Sequence, residues 1–180
     1  MKIQGHGQAA ILSTQEERRL FVALGTERDR AVFGICLYCG CRISEALQLQ
    51  VQDVSPTAIT FRKGTTKGKQ RTRQVPTAPR LAMILANYRR PTEGYLFPGR
   101  RPGSHLQRCR ADQILKVATQ KAGLQGVSTH SFRRTALTRM HNAGVPLAVI
   151  REISGHQTLA ALQRYLEVEP EQMVVAVGAI

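Results

Sequence analysis

Apolar residues recur at the spacing of buried helical stripes along most of this chain, and glycines stand where the stripes stop. Ala111, Ile114, Leu115, Ala118 and Ala122 make one stripe closed by Gly123, and Phe132, Ala136, Met140 and Ala143 make the next, closed by Gly144. Pro146 can start a further helix at its first position, Gly155 breaks it, and Leu159, Leu162 and Leu166 mark the last one. Upstream, Thr14 followed by Glu17 is a capping-box pattern that opens a helix through Leu20, Val22 and Leu24 to Gly25. A second helix is expected from about Asp29 to Tyr38, with a break near Gly40 and a restart through Ile43, Ala46 and Leu47. Only the stretch from Asp53 to Pro76 changes period. There Ile59 and Phe61 face one way and Thr60 and Arg62 the other, the alternation of a small sheet. Helical periodicity resumes after Thr77. The fold class that follows is α+β, mainly helical with one small antiparallel β-sheet. Without internal repeats, the 180 residues are expected to form one domain, 1–180, large enough to bury a core without disulfides or metal.

The charge of the chain then narrows its partners. Lysine and arginine number 26 against 12 acidic residues, a formal net charge of +14 that exceeds what solubility needs and points to a polyanion. Nucleic acid is favoured over a membrane surface, because there is neither a run of about 18 apolar residues nor a long basic amphipathic helix. The segment Met1 to Ala10 is polar and glycine-rich and lacks the apolar stretch of a signal peptide, so a cytoplasmic protein is expected. Cys36, Cys39 and Cys41 crowd around a turn, as zinc ligands could. Two of them lie among Val32, Phe33, Ile35 and Leu37, where cysteine behaves as a small apolar residue, and Cys109 is distant, so reduced structural thiols are expected.

One set of polar residues is hard to explain by folding: Arg42, Lys67, the stretch His130-Ser131-Phe132-Arg133, Gly155-His156, and Tyr165. Singly, each has an ordinary reading. The arginines could be surface residues, His130 a helix cap, His156 a turn residue and Tyr165 part of a leucine-rich core. Their order and spacing are what matter. The segments Gly40-Cys41-Arg42-Ile43-Ser44-Glu45, Thr66-Lys67-Gly68-Lys69 ahead of Val75-Pro76, Thr129-His130-Ser131-Phe132-Arg133, and Ser154-Gly155-His156 with Tyr165 nine residues later run in that order. In this the chain resembles the tyrosine recombinase (phage integrase) family, whose active site holds two arginines, a lysine, two histidines and a tyrosine.

That resemblance implies a DNA-strand-transferring enzyme that works through a covalent 3′-phosphotyrosine. Arg42 and Arg133 would bind the scissile phosphate, Lys67 would be the general acid, His130 and His156 would assist, Tyr165 would be the nucleophile and Glu45 a supporting residue. The residue types suit the chemistry. Guanidinium forks match the two charged non-bridging oxygens of a phosphodiester under attack. A phenol of pKa about 10 needs a base and a cationic setting to attack near neutral pH, and the departing 5′ oxygen needs a proton from a placed acid. Because the phosphotyrosine ester conserves the energy of the diester, no nucleotide cofactor is expected. No metal is expected either, since the sequence has no acidic cluster with magnesium-ligand spacing.

Lys69 rivals Lys67 as the acid, because the interval from Lys67 to Pro76 is one residue longer than the resemblance leads one to expect. Lys63, Lys69, Arg71 and Arg73 otherwise read as a basic, DNA-contacting loop, and Arg100, Arg101, Arg108 and Arg110 as further phosphate contacts. Cys41 and Ser154 stand where the family more often has larger aliphatic residues, a departure expected to touch packing more than chemistry. The expected partners are double-stranded DNA and, on it, further copies of the chain in a tetrameric synapse, with the apolar tail Met173-Val174-Val175-Ala176-Val177 packing in trans. The N-terminal helical domain that closes a clamp in most relatives is expected to be absent from 1–180. Two other readings carry the same basic surface: a non-catalytic DNA-binding regulator or relic, and a type IB topoisomerase, which usually needs a larger clamp.

Overall fold

The protein is described here by a computed structural model covering residues 9–65, 72–166 and 170–178. Its elements in chain order are α1 (Thr14–Ala23), α2 (Glu27–Tyr38), α3 (Ile43–Leu47), β1 (Ala58–Phe61), β2 (Arg73–Pro76), α4 (Pro79–Asn87), α5 (Arg108–Lys121), α6 (Thr129–Asn142), α7 (Leu147–Ser154), α8 (Leu159–Gln163) and α9 (Pro170–Gly178). This is the mainly helical α+β arrangement expected from the periodicity.

Helix α1 starts one residue earlier than the Thr14 and Glu17 pattern suggests. The Ser13 hydroxyl accepts the Glu16 amide at 3.2 Å and the Glu16 carboxylate accepts the Ser13 amide at 2.9 Å, a reciprocal cap. Glu17 cannot serve because it is drawn inward, where it accepts from the Tyr38 hydroxyl at 3.1 Å and from Arg139. Leu20 and Leu24 are buried, whereas Val22 points to solvent at 79 % exposure, as its position on the opposite side of the helix requires.

Helix α2 is the centre of the core and packs against α4 and α6. Phe33 stacks on Phe132 of α6 with ring centroids 4.9 Å apart. Gly34 lets α4 come close: a Cβ there would sit 3.3 Å from Ile84. Cys36, Cys39 and Cys41 are fully buried members of this core. The neighbouring Cys41 and burial hold the Cys36 thiol well above its ordinary value, and burial does the same for Cys39, as befits thiols used as packing. A smaller apolar cluster of Leu137, Ile150 and Leu162 joins α6, α7 and α8, and Tyr165 packs against it.

The strands β1 and β2 pair antiparallel, with Ile59 opposite Val75 and Phe61 opposite Arg73. Ile59, Phe61 and Val75 face the core. Because side chains on a strand alternate faces, Arg73, two residues before Val75, must face inward too. Beyond α8, helix α9 leaves Met173, Val174 and Val177 exposed. Among the described residues no helix is long and apolar enough to cross a membrane.

Candidate active site

The site forms where α6 and the turn after α7 meet the break between α2 and α3. Gly40 makes that break with a φ of +56°, and its carbonyl accepts a hydrogen bond from Arg133 Nη1 at 2.8 Å. Helix α3 then begins behind Arg42, whose amide donates to the Glu45 carboxylate at 2.7 Å. The Arg42 guanidinium is partly exposed and lies 3.9 Å from Glu45 Oε1, beyond hydrogen-bonding range. Its Nη1 is buried without a hydrogen-bond partner among the described residues. A buried cationic donor left in this state is poised for an anion.

Arg133 is fully buried on α6. Besides Gly40, Nη1 donates to the Ser154 carbonyl at 2.9 Å, and Nη2 donates to His156 Nε2 at 2.9 Å. The carboxylate of Glu45 lies 3.8 Å from Nη1. Burial and the nearby Arg42 lower the Arg133 pKa to about 10, so it keeps its charge at neutral pH. Its guanidinium carbon also lies 5.4 Å above the Tyr165 ring.

His156 follows Gly155, which ends α7 in the left-handed conformation at φ +67°. The Ser154 hydroxyl donates to the Arg151 carbonyl at 3.3 Å and lies 2.8 Å from His156 Nδ1, so a proton on Nδ1 and a lone pair on Nε2 satisfy the two shortest contacts of the ring, leaving the longer approach of Arg133 Nη2 to Nδ1 at 3.3 Å unused. Burial and the charges of Arg133, Arg42 and Arg73 push the His156 pKa down to about 3. The ring is therefore neutral and acts as the acceptor that orients Arg133. Its centroid is 5.0 Å from that of Tyr165, the expected nucleophile. Tyr165 itself is fixed through its backbone, whose carbonyl accepts from Thr138 Oγ1 at 3.2 Å.

His130 opens α6 but is not its cap. Ser128 plays that part, accepting the His130 amide at 3.3 Å and leaving the imidazole at the surface. Partial burial and the fields of Arg108, Arg133 and Arg42 hold His130 below its ordinary pKa, so it is neutral and able to take a proton at pH 7.

The structure thus brings Arg42, Glu45, Arg133, His156 and Tyr165 into one cluster, with His130 at the start of the same helix as Arg133. Lys67, Lys69 and Arg71 lie outside the described residues. Lys63 is exposed in a short 3₁₀ turn at the other end of that segment.

Arg73 corrects the sequence reading. It was expected to contact DNA, yet its side chain is only 6 % exposed and its fork is already filled. Nη1 and Nη2 donate to the two oxygens of Glu45 at 2.9 and 3.2 Å, and Nε donates to the Ile153 carbonyl at 2.9 Å. Its guanidinium carbon rests 4.4 Å over the Phe61 ring. These bonds hold three of its five N–H donors, and its burial leaves little of the group open to a DNA phosphate. Ser154 is a second correction, because both its carbonyl and its hydroxyl hold site residues. Burial pushes the Glu45 carboxyl up, but Arg73, the Arg42 amide and Arg133 outweigh it, so Glu45 stays ionised below its ordinary value.

Residues 10–172 match the model of the Phage integrase family. The Tyrosine recombinase XerC of Rhodospirillum centenum is 32 % identical over 154 residues, which are 82 % of this chain and 44 % of that protein. The Tyrosine recombinase XerA of Pyrococcus furiosus is 30 % identical over 174 residues, 92 % of this chain and 60 % of that protein. Among solved structures, the XerA recombinase superposes with a TM-score of 0.79 at 23 % identity, covering 98 % of this chain and 65 % of the other. The catalytic domain of bacteriophage HP1 integrase gives 0.67 at 27 % identity, covering 88 % and 87 %. The chain spans roughly half to two thirds of the length of the curated relatives it matches. With most of its length inside the family match and the same mainly helical fold, the chain belongs to the phage integrase family.

Proposed function

We propose that this chain is the catalytic part of a site-specific DNA recombinase that cleaves and rejoins strands through a 3′-phosphotyrosine bond at Tyr165. The observation that carries the reading is the buried, charged Arg133 held between His156 and the Tyr165 ring, beside an Arg42 that has a buried donor to spare. The scissile phosphate would enter on Arg42 and Arg133, whose charge offsets the negative charge that builds on the non-bridging oxygens. Neutral His130 would take the phenolic proton as Tyr165 attacks phosphorus. Lys67 would protonate the departing 5′ oxygen, and the attack reversed by a new 5′ hydroxyl would rejoin the strand. His156 would keep Arg133 aimed, and Glu45 would support both arginines.

Double-stranded DNA is the partner this chemistry requires, and the exposed apolar residues of α9 would carry self-association on it. The test is an SDS-resistant adduct with supercoiled plasmid formed in EDTA. The wild-type chain is expected to form it, and Tyr165→Phe, which removes one oxygen and keeps the ring, to bind DNA without forming it. An adduct that persists in Tyr165→Phe would falsify the assignment, and a wild-type chain that binds DNA without any adduct would favour the non-catalytic reading.

A further inference from the structure

We propose that Arg73 is a positioning residue that saturates Glu45 and so keeps the Arg42 and Arg133 guanidinium groups available to an anion. This rests on the recombinase reading for its catalytic consequence, but its electrostatic core does not. Glu45 is fully buried and ionised, and three arginines surround its carboxylate. Only one of them takes it. The two Arg73 nitrogens bond its two oxygens, while Arg42 and Arg133 stand back at 3.9 and 3.8 Å. A buried carboxylate cannot remain unpaired, because its desolvation is too costly. If Arg73 were removed, the carboxylate would draw in whichever guanidinium is nearest, and both candidates are within about an ångström of a hydrogen bond. The fork meant for phosphate would then be closed by an internal anion.

The placement of Arg73 is over-determined, as a positioning role requires. The strand pleat turns it inward, Phe61 lies beneath its guanidinium, and Nε takes the Ile153 carbonyl. Arg133 takes the next carbonyl, that of Ser154. The two arginines therefore bind successive carbonyls at the C-terminal end of α7, where the helix leaves acceptors unpaired and cations are favoured. Arg73 thereby ties β2 and α7 to the carboxylate under the phosphate-binding arginines.

The experiment compares Arg73→Met, Arg73→Lys and the double variant Arg73→Met/Glu45→Gln. Two readouts are taken: the rate of covalent adduct formation, and the shift in melting temperature produced by inorganic phosphate. Glutamine still accepts the Arg42 amide but carries no charge to be neutralised. Arg73→Met is expected to slow adduct formation on the order of 100-fold with little change in DNA affinity, and to lose the phosphate-induced shift. Arg73→Lys, which keeps the charge without the fork, is expected to fall between it and wild type. The double variant is expected to recover both readouts to within about tenfold of wild type, because it removes the competing anion along with its partner.

A double variant no faster than Arg73→Met would overturn the proposal, as would Arg73→Met that reduces DNA affinity while leaving the adduct rate intact. If Arg73→Met does not fold, the double variant still decides: folded and active supports the proposal, folded and inactive overturns it. A wild-type chain without adduct would remove the recombinase reading, while the phosphate-induced shift in the same variants would still decide the role of Arg73.

Discussion

His156 shows how a residue of ordinary type is put to an unusual use. Its ring meets Arg133, Ser154 and Tyr165, and burial together with the charges of Arg133, Arg42 and Arg73 keeps it neutral down to about pH 3. In the unfolded chain it would titrate near pH 6.5. A folded-state pKa lowered in this way gives stability that is complete above about pH 6.5 and is lost as the pH falls towards 3, because only the unfolded chain takes the proton. Replacing His156 by Gln is expected to remove that dependence. Measured between pH 6.5 and 5, above the range where Glu45 titrates, the stability difference between wild type and His156→Gln should shrink by up to about 1.4 kcal/mol per pH unit. Parallel curves would show that the ring is not held neutral by folding. The candidate catalytic set was legible in sequence through the order and spacing of its members and the family resemblance they carry, since each residue alone had an ordinary reading. Arg73 was not, since it is one of several cations in a row. The signal was there in the two-residue period: the register that turns Ile59 and Phe61 inward also turns Arg73 inward. Ser154 was hidden for another reason, because half of its contribution comes from a backbone carbonyl that no residue type encodes.

At the scale of elements, the end of α7 carries more of the site than its eight residues suggest. Its successive C-terminal carbonyls anchor Arg73 and Arg133, its last hydroxyl meets His156, and Gly155 turns the chain so that His156 faces back. The sequence pattern located this helix and its glycine stop and placed Gly155 beside His156 in the motif, but did not show what its missing side chain makes room for. Gly155 has two separate reasons to lack a side chain. Its φ of +67° disfavours any Cβ, and a Cβ there would lie 2.9 Å from Arg73 Nη1 and 3.1 Å from Cζ. That guanidinium is pinned between Glu45 and Phe61, so it cannot give way cheaply. Gly155→Ala is therefore expected to destabilise the fold by about 2–4 kcal/mol, summing backbone strain and overpacking, and to impair adduct formation. Gly123 is the matched control. It ends α5 at φ +65° with no atom within 4 Å of its would-be Cβ, so Gly123→Ala should cost only the backbone share, about 1 kcal/mol, and leave the adduct intact. Equal losses of stability at the two positions, measured by chemical denaturation, would mean that the contact with Arg73 is soft.

For the whole molecule, the net charge of +14 must be divided between interior and surface before it says anything about DNA. Arg73 is spent inside the site, on Glu45 and a backbone carbonyl, while Arg133, held by backbone carbonyls and His156, is the buried cation proposed to meet the phosphate. Arg100, Arg101, Arg108 and Arg110 remain exposed, and Arg100 and Arg110 line, with Arg28, an open cavity of about 720 Å³ beside the start of α5. Sequence composition counts all of these alike; only the fold separates cations that organise a site from cations that face solvent. DNA binding by these 180 residues should then depend on counterion release by the surface set. Affinity is expected to fall by roughly 10³–10⁵ between 50 and 200 mM salt if about six to ten phosphates are engaged. Arg100→Ala and Arg110→Ala should each reduce the slope of log affinity against log salt by about 1, without preference for any DNA sequence. Arg73→Met should leave that slope where it was, because its charge never reaches the DNA. Titration of a labelled duplex at several salt concentrations measures all three, and either salt-insensitive binding or a slope that falls with Arg73→Met would contradict this division of charge.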